Sequence, residues 1–335
     1  MSQICIYPCE VNIHSRIFRM GGVTGVGTYP EFAGMGLMND LIRLALQKMR
    51  KAEQYVSYLY PYSIPYYRRK GWEIMSDHIT FTLKDTEIPE TVEVPGHVER
   101  LPVGDEDVKG TYDRFARCTH GALIRNDFEW MEYWRWENEE ERTAAVYYDA
   151  KDIPQGFLLY WVEEDVFHIR EMVYLTQEAR KGLWNFIRAH YSMIDAVKGH
   201  IYTGEPLAFL LDESQIQETI EPYFMARIVD VAQFLRLYPF EGSIRPFHFV
   251  VTDPMAEWNN GIFSVATDRE GTVSVTDEPA GKAVELDIQT LSAMLMGYKR
   301  PSYLARIERL HTDKRTLRLL EEIIPDGQPY FSDYF

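Results

Sequence analysis

At 335 residues the chain is long enough for two or three domains of ordinary size, and 46% apolar with 14% aromatic residues gives it the material for packed cores. Its 35 basic and 51 acidic residues leave a net charge of −16, which argues against a protein built to grip a nucleic-acid backbone, because that task needs clustered cations. Such an acidic surface serves solubility or draws in a cationic partner, and the count alone leaves both open.

The first hundred residues alternate strand and helix signals. Residues 4–13 and 17–28 read as extended, the second run ending in Gly21-Gly22-Val23-Thr24-Gly25-Val26-Gly27. After a loop over 29–36, Leu37, Met38, Leu41, Ile42, Ala45 and Met49 recur at helical spacing, with Arg43, Lys48 and Arg50 on the other face. Residues 55–60 read as a short aromatic-rich strand, 63–70 as a short helix stopped by Gly71, and 72–83 as one further strand. Pro89 to Pro95 reads as a linker.

Beyond it, 105–141 is helical and acidic, with aromatic residues at Phe128, Trp130, Tyr133, Trp134 and Trp136. Strands at 144–148, 156–163 and 166–174 and a helix over 177–190 then echo the first unit. From Met225 onward, runs at 247–251, 261–266, 272–277 and 283–286 alternate apolar and polar residues, which predicts an antiparallel sheet flanked by helices at 288–296 and 314–324. The chain closes on Tyr330-Phe331-Ser332-Asp333-Tyr334-Phe335, too aromatic for a frayed end, which predicts a docked terminus. The expected architecture is mixed α/β with an α+β sheet unit at the end, in three units spanning 1–95, 96–224 and 225–335.

The longest apolar run, Phe157 to Val162, falls far short of the ~20 residues of a membrane helix. The amino terminus lacks the basic and apolar stretches of a secretion signal, so a cytoplasmic protein with no membrane partner is expected. Cys5 and Cys9 lie about 13 Å apart if extended at ~3.3 Å per residue, too far for a disulfide, and both are expected as buried packing residues. The nine histidines show no ligand-type spacing, so no metal is expected. A strand running into a glycine-containing loop and then a helix start is an arrangement that holds a phosphate, since free N–H groups and the helix dipole both favour an anion. Residues 31–39 have it without Gly-x-Gly-x-x-Gly or a P-loop lysine, and on spacing alone a plain strand-to-helix turn is the commoner reading.

Thr28-Tyr29-Pro30-Glu31-Phe32, then Gly36-Leu37-Met38, and after helix and strand Tyr66-Tyr67-Arg68-Arg69-Lys70-Gly71-Trp72, resemble the acetyl-CoA-dependent N-acetyltransferases of the GNAT superfamily. A second acetyltransferase-like unit without that motif, a C-terminal unit resembling sterol carrier protein 2 (SCP2) and a terminal phenylalanine extend the resemblance over essentially the whole chain, to the Eis (enhanced intracellular survival) family. The resemblance implies tandem GNAT-like domains, the first lacking its N-terminal part, and an SCP2-like α+β sheet domain. It further implies acetyl-CoA as co-substrate, an acceptor amine on a cationic molecule (aminoglycoside-like, polyamine or lysine), and a homo-oligomer, hexameric in that family.

Carried over position by position, the strand backbone that pairs with the pantetheine arm falls on Val26, Gly27 and Thr28. The pyrophosphate-holding loop and helix start fall on Gly34, Met35, Gly36, Leu37, Met38 and Asn39, and a further cofactor contact on Tyr62 and Ser63. The general acid that protonates the departing CoA sulfur matches Tyr67, and the general base matches the terminal carboxylate of Phe335. A phenol of pKa ~10 can serve a thiolate of pKa ~8.5, and an α-carboxylate of pKa ~3.5 becomes a base when desolvated. Asp333 is a local candidate for steering the ammonium, and the stretch 128–141 for lining an amine pocket. Without the resemblance, Tyr67 is a core aromatic, Phe335 a tail, and the stretch a core stripe with a solvated acidic face.

Two departures stand out. The family usually has Arg or Gln where Ala33 stands, which removes a charge-assisted contact of ~1.5–3 kcal/mol, and the chain begins part-way into the family's first domain. Both favour an alternative: a non-catalytic or truncated homologue that binds an apolar ligand, or acts as a scaffold, through its SCP2-like domain.

Overall fold

The computed structural model describes residues 1–135, 143–202, 206–267 and 272–335, with side chains at 132–135 outside the description. A hairpin opens the chain, β1 (Ser2–Ile13) and β2 (Arg16–Thr28), turned by His14 and Ser15 at φ 47° and 67°. Helix α1 (Leu37–Lys51) crosses to β3 (Val56–Leu59), which runs parallel to β2, and α2 (Ile64–Arg68), β4 (Glu73–Ile74) and β5 (Asp77–Lys84) follow. Next come β6 (His97–Leu101), α3 (Glu106–Cys118), α4 (Asp127–Arg135), β7 (Thr143–Tyr148), β8 (Pro154–Glu163), β9 (Val166–Tyr174), α5 (Gln177–Arg188), β10 (Ala196–Ile201) and β11 (Gln217–Pro222). The last part holds β12 (Met225–Ile228), α6 (Val231–Leu237), β13 (Phe247–Thr252), β14 (Gly261–Thr267), β15 (Val273–Thr276), β16 (Lys282–Asp287), α7 (Ile288–Leu295), α8 (Pro301–Arg306) and α9 (Lys314–Ile323).

Three sheets result, ordered β1-β2-β3-β12-β4, β11-β5-β10-β9-β8-β7-β6 and β15-β14-β13-β16. The stretch 72–83 is therefore not one strand. It breaks at Met75–Ser76, and its halves enter different sheets, each pairing antiparallel with part of 217–226: Met225 with Ile74 on one side, Pro222 with Asp77 on the other. Backbone bonds Met75 N to Phe224 O (2.9 Å) and Tyr223 N to Ser76 O (2.9 Å) carry the ribbon through the break. The third sheet also departs from expectation, since β13 and β16 run parallel. Alternation of apolar and polar residues has the same period in either direction and so carries no sign of it.

Helix α1 buries Ile42, Ala45, Leu46 and Met49 on one stripe, as its spacing requires. It lies so close to β2 that a Cβ on Gly21 would stand 2.2 Å from the Met49 sulfur. Val11, Phe18 and Tyr58 from the first sheet share one apolar core with Phe234, Phe249 and Leu291 from the last unit. Of the two cysteines expected inside, Cys9 is buried but Cys5 is exposed, because it faces away from Ile4 and Ile6, which pack against the core that α1 covers. The chain end docks as expected, with Tyr330 to Asp333 buried. Among the described residues no helix is long and apolar enough to cross a membrane.

Candidate active site

The site grows from a strand that parts from its neighbour. Strands β2 and β3 are paired only over Met20–Val23 and Val56–Leu59, so Thr24 to Thr28 continue without β3 beside them. The hairpin register shifts between Gln3 and Cys5, opposite Gly25, which adopts φ +58°. Past the shift, Tyr29 N donates to Met1 O (3.0 Å), so strand alternation turns the Thr28 amide to the opposite, open edge.

The loop after β2 then passes through Gly34 and Gly36 at φ +79° and +80°, a region that L side chains avoid. Nothing lies within 4 Å of a Cβ on either, so conformation rather than space calls for glycine there. Gly36 is the N-cap of α1 and offers no side-chain acceptor; its carbonyl takes the Asn39 amide at 2.9 Å, which leaves the Leu37 and Met38 N–H groups and the positive end of the helix dipole to an incoming anion.

Strand edge, loop and helix start enclose one cleft of about 630 Å³. Of the residues expected at the cofactor, Val26, Gly27 and Thr28 line one wall, Gly34, Gly36, Leu37, Met38 and Asn39 a second, and Tyr62 a third. Two lie off it: Met35 points outward at 65% exposure, and Ser63 accepts the Tyr66 and Tyr67 amides at the start of α2.

Tyr67 sits behind the Tyr62 and Tyr66 wall at 4% exposure, its ring edge-on to Tyr62, Tyr66 and Trp72 at 5.9, 5.2 and 6.3 Å. Burial, reinforced by the neighbouring phenols of Tyr62 and Tyr66, pushes its pKa up to about 12.

The chain end reaches the same strands. The Phe335 ring lies against Gly22 of β2, where a Cβ would meet it at 2.9 Å, and packs on Phe224 at 5.3 Å. Tyr334 meets Tyr60, just past β3, at 5.1 Å. Asp333, expected to steer an ammonium, is already engaged: Arg125 Nε donates to its Oδ1 at 2.7 Å and Tyr112 Oη to its Oδ2 at 3.1 Å. That carboxylate anchors the tail instead. Arg125 also holds buried Glu171 at 3.1 Å, so one cation serves two carboxylates. Burial pushes the pKa of Asp333 up, whereas at Glu171 the cost of burial is outweighed by Arg125, Ser332 and Tyr330 and the pKa falls.

Families of known proteins match the chain in three pieces: an acetyltransferase (GNAT) domain over 1–75, another over 121–228, and a sterol carrier protein domain over 231–332. A probable N-acyltransferase of unknown function from Enterococcus faecalis V583 superposes over 100% of this chain and 86% of its own, with a TM-score of 0.93 and 31% identity. This chain belongs to the GNAT acetyltransferases.

A GCN5-related N-acetyltransferase from Anabaena variabilis, 26% identical, matches 99% of the chain and 86% of its own with a TM-score of 0.88. N-acetyltransferase Eis of Mycobacterium tuberculosis is 24% identical over 233 residues, 67% of this chain and 55% of that protein, so the match spans about half the length of the curated relatives. Eis1 from Mycobacterium abscessus shares the fold at a TM-score of 0.85 and 17% identity, over 100% of this chain and 87% of its own.

In this GNAT chain the cleft also holds Phe32, Tyr66 and Lys70, to which the sequence assigned no role. Their signal, membership of the recognised motifs, carried no direction for the side chains. Near the tail, Glu129 on α4 lies with Tyr7, Cys9, Phe128 and Phe335 around a gap of about 20 Å³, room for one water-sized group. Burial raises the Glu129 pKa, and the Tyr7 and Phe128 rings meet edge-on at 5.6 Å. Glu129 falls within the aromatic, acidic stretch read as a candidate amine pocket, whose residues 136–141 lie outside the described ones.

Proposed function

We propose that the chain transfers the acetyl group of acetyl-CoA to a primary amine of a cationic acceptor: an aminoglycoside-like molecule, a polyamine or a lysine side chain. The cleft carries this reading, because a strand edge free of β3, two left-handed glycines and an uncapped helix start surround one cavity of about 630 Å³. Those groups suit, in order, an amide-bearing arm and a pyrophosphate.

The acceptor arrives as an ammonium and gives a proton to the Phe335 carboxylate, directly or through water. The amine nitrogen attacks the thioester carbonyl, the new C–N bond forms, and the C–S bond breaks with its electron pair on sulfur. Tyr67 donates a hydrogen bond to that sulfur as charge develops; of the two protons the nitrogen sheds, one reaches the thiolate through water and the other leaves Phe335 for solvent. Per turnover, ammonium and acetyl thioester become amide, thiol and one released proton. With its pKa at about 12 against ~8.5 for a thiol, Tyr67 stays protonated throughout the working range and stabilises the sulfur as charge develops, since complete transfer to a free thiolate is uphill by roughly three and a half units. Glu129, beside Tyr7 and Phe128, supplies an acidic, aromatic surface for the acceptor cation, in a gap that Asp333 also lines. Assembly as a homo-oligomer, hexameric by the resemblance, belongs to the same reading and is checked by light scattering.

Calorimetric titration of acetyl-CoA into the purified chain, with thiol release then followed against polyamines, aminoglycosides and lysine peptides, tests the reading. Micromolar binding with turnover supports it and identifies the acceptor class. Absence of acetyl-CoA binding sinks it.

A further inference from the structure

We propose that Lys70 supplies the phosphate-neutralising cation that the glycine loop lacks at Ala33. The inference rests on the acetyl-CoA reading and assigns a residue to its pyrophosphate. A pyrophosphate brings negative charge to a loop whose own contribution is backbone N–H groups and a helix dipole, a partial charge rather than a full one. Ala33, on the cleft wall, has no donor to add.

Lys70 reaches the same spot from the opposite wall, two residues past α2. Its ammonium donates to the Asn39 side-chain oxygen in the first turn of α1, and it stands 5.6 Å from the Tyr66 ring centroid. That partner is a neutral amide, so an incoming phosphate breaks no ion pair. The cations around it differ: Arg68 is bound to Glu73, Arg43 leans on Asp40, and Arg69 is exposed and off the cleft lining. Among the described residues Lys70 has no carboxylate partner.

Its position is built rather than accidental. Lys70 N donates to Tyr67 O at 2.8 Å, and the Lys70 carbonyl accepts from the guanidinium of Arg227 on β12, which is fully buried and ion-paired to Asp253. Gly71 follows at φ +96° with the Arg227 guanidinium lying where its Cβ would be, so the backbone that aims Lys70 is clamped from a strand 157 residues away. Burial, Arg69 and Arg43 all depress the Lys70 pKa, a penalty that an adjacent phosphate relieves.

The test is calorimetric titration of acetyl-CoA and of S-acetylpantetheine, which ends where the phosphates begin, into wild type, Lys70→Met, Lys70→Arg and Lys70→Met/Ala33→Arg. Lys70→Met is expected to weaken acetyl-CoA about ten- to a hundredfold and to flatten its salt dependence, with S-acetylpantetheine unchanged. Lys70→Arg keeps most of the affinity, and Ala33→Arg restores it in the Lys70→Met background. Equal acetyl-CoA affinity in Lys70→Met and wild type overturns the inference, as does an equal loss for both donors, which marks a structural role. A wild type that binds neither donor overturns the acetyl-CoA reading itself, and this inference with it.

Discussion

The chain builds one supersecondary unit twice, and the copies diverge at a single kind of feature. In the first, hairpin β1–β2 leads through α1 to β3; in the second, hairpin β8–β9 leads through α5 to β10. Each parallel pair holds for four residues and then parts, at Val23 and at Ile169, and each hairpin shifts register near that point.

The first wedge stays open. Its helix begins at an uncapped left-handed glycine, and the cleft measures about 630 Å³. The second helix is capped by Thr176, whose hydroxyl accepts from Ala179 N at 3.1 Å. Its wedge is filled by the protein's own tail: Tyr330 and Ser332 donate to Glu171 of β9 at 2.8 and 2.5 Å, and a cavity of about 200 Å³ remains. Topology opens a wedge in both copies. Whether the chain's own groups satisfy the strand edge and the helix start decides which one is left for a ligand.

The comparison is broken most severely at Arg125. Replacing it by Met leaves Glu171 and Asp333 buried without their cation, and thermal or urea unfolding should show a loss of about 3–5 kcal/mol with release of the tail. On the catalytic side, Tyr67→Phe should lower kcat about 10²- to 10⁴-fold while calorimetry finds acetyl-CoA affinity unchanged. A retained kcat removes Tyr67 from the mechanism. Because the Tyr67 pKa lies at about 12 and the acceptor binds as its ammonium, any descending limb of kcat/KM below pH 10 should move with the acceptor amine's own pKa from one acceptor to the next; a fixed one assigns the acid to another group.

The two carboxylates on Arg125 should respond oppositely to pH. The lowered pKa of Glu171 contributes stability that is fully present above ~4.3 and is lost as pH falls through the folded value. The raised pKa of Asp333 means that its charged form costs stability above that value, a cost relieved on acidification. Melts at pH 7 should therefore find Glu171→Gln the more damaging of the pair with Asp333→Asn, and equal losses contradict the assignment. The smallest effect tests the helix starts. Thr176→Ala should cost about 1 kcal/mol of stability and leave acetyl-CoA binding alone, whereas Gly34→Ala, straining a left-handed position, should weaken that binding.

How much was legible follows from distance along the chain. Glycines at 34 and 36, the apolar stripe of α1 and the alternation of β1 and β2 act through neighbours within a few residues, so the hairpin, the helix and the loop between them were readable by the sequence alone. The motif around Tyr67 and the aromatic tail were readable in the same way, as residues though not as contacts. What the tertiary structure decided joins distant positions. The split of 72–83 between two sheets depends on pairing with 217–226. The capture of Asp333 depends on Arg125, 208 residues earlier, and the aim of Lys70 on Arg227. Local sterics and hydrogen-bond periodicity are written in consecutive residues, whereas the partner that neutralises a buried charge or clamps a backbone is chosen only when the sheets close on one another.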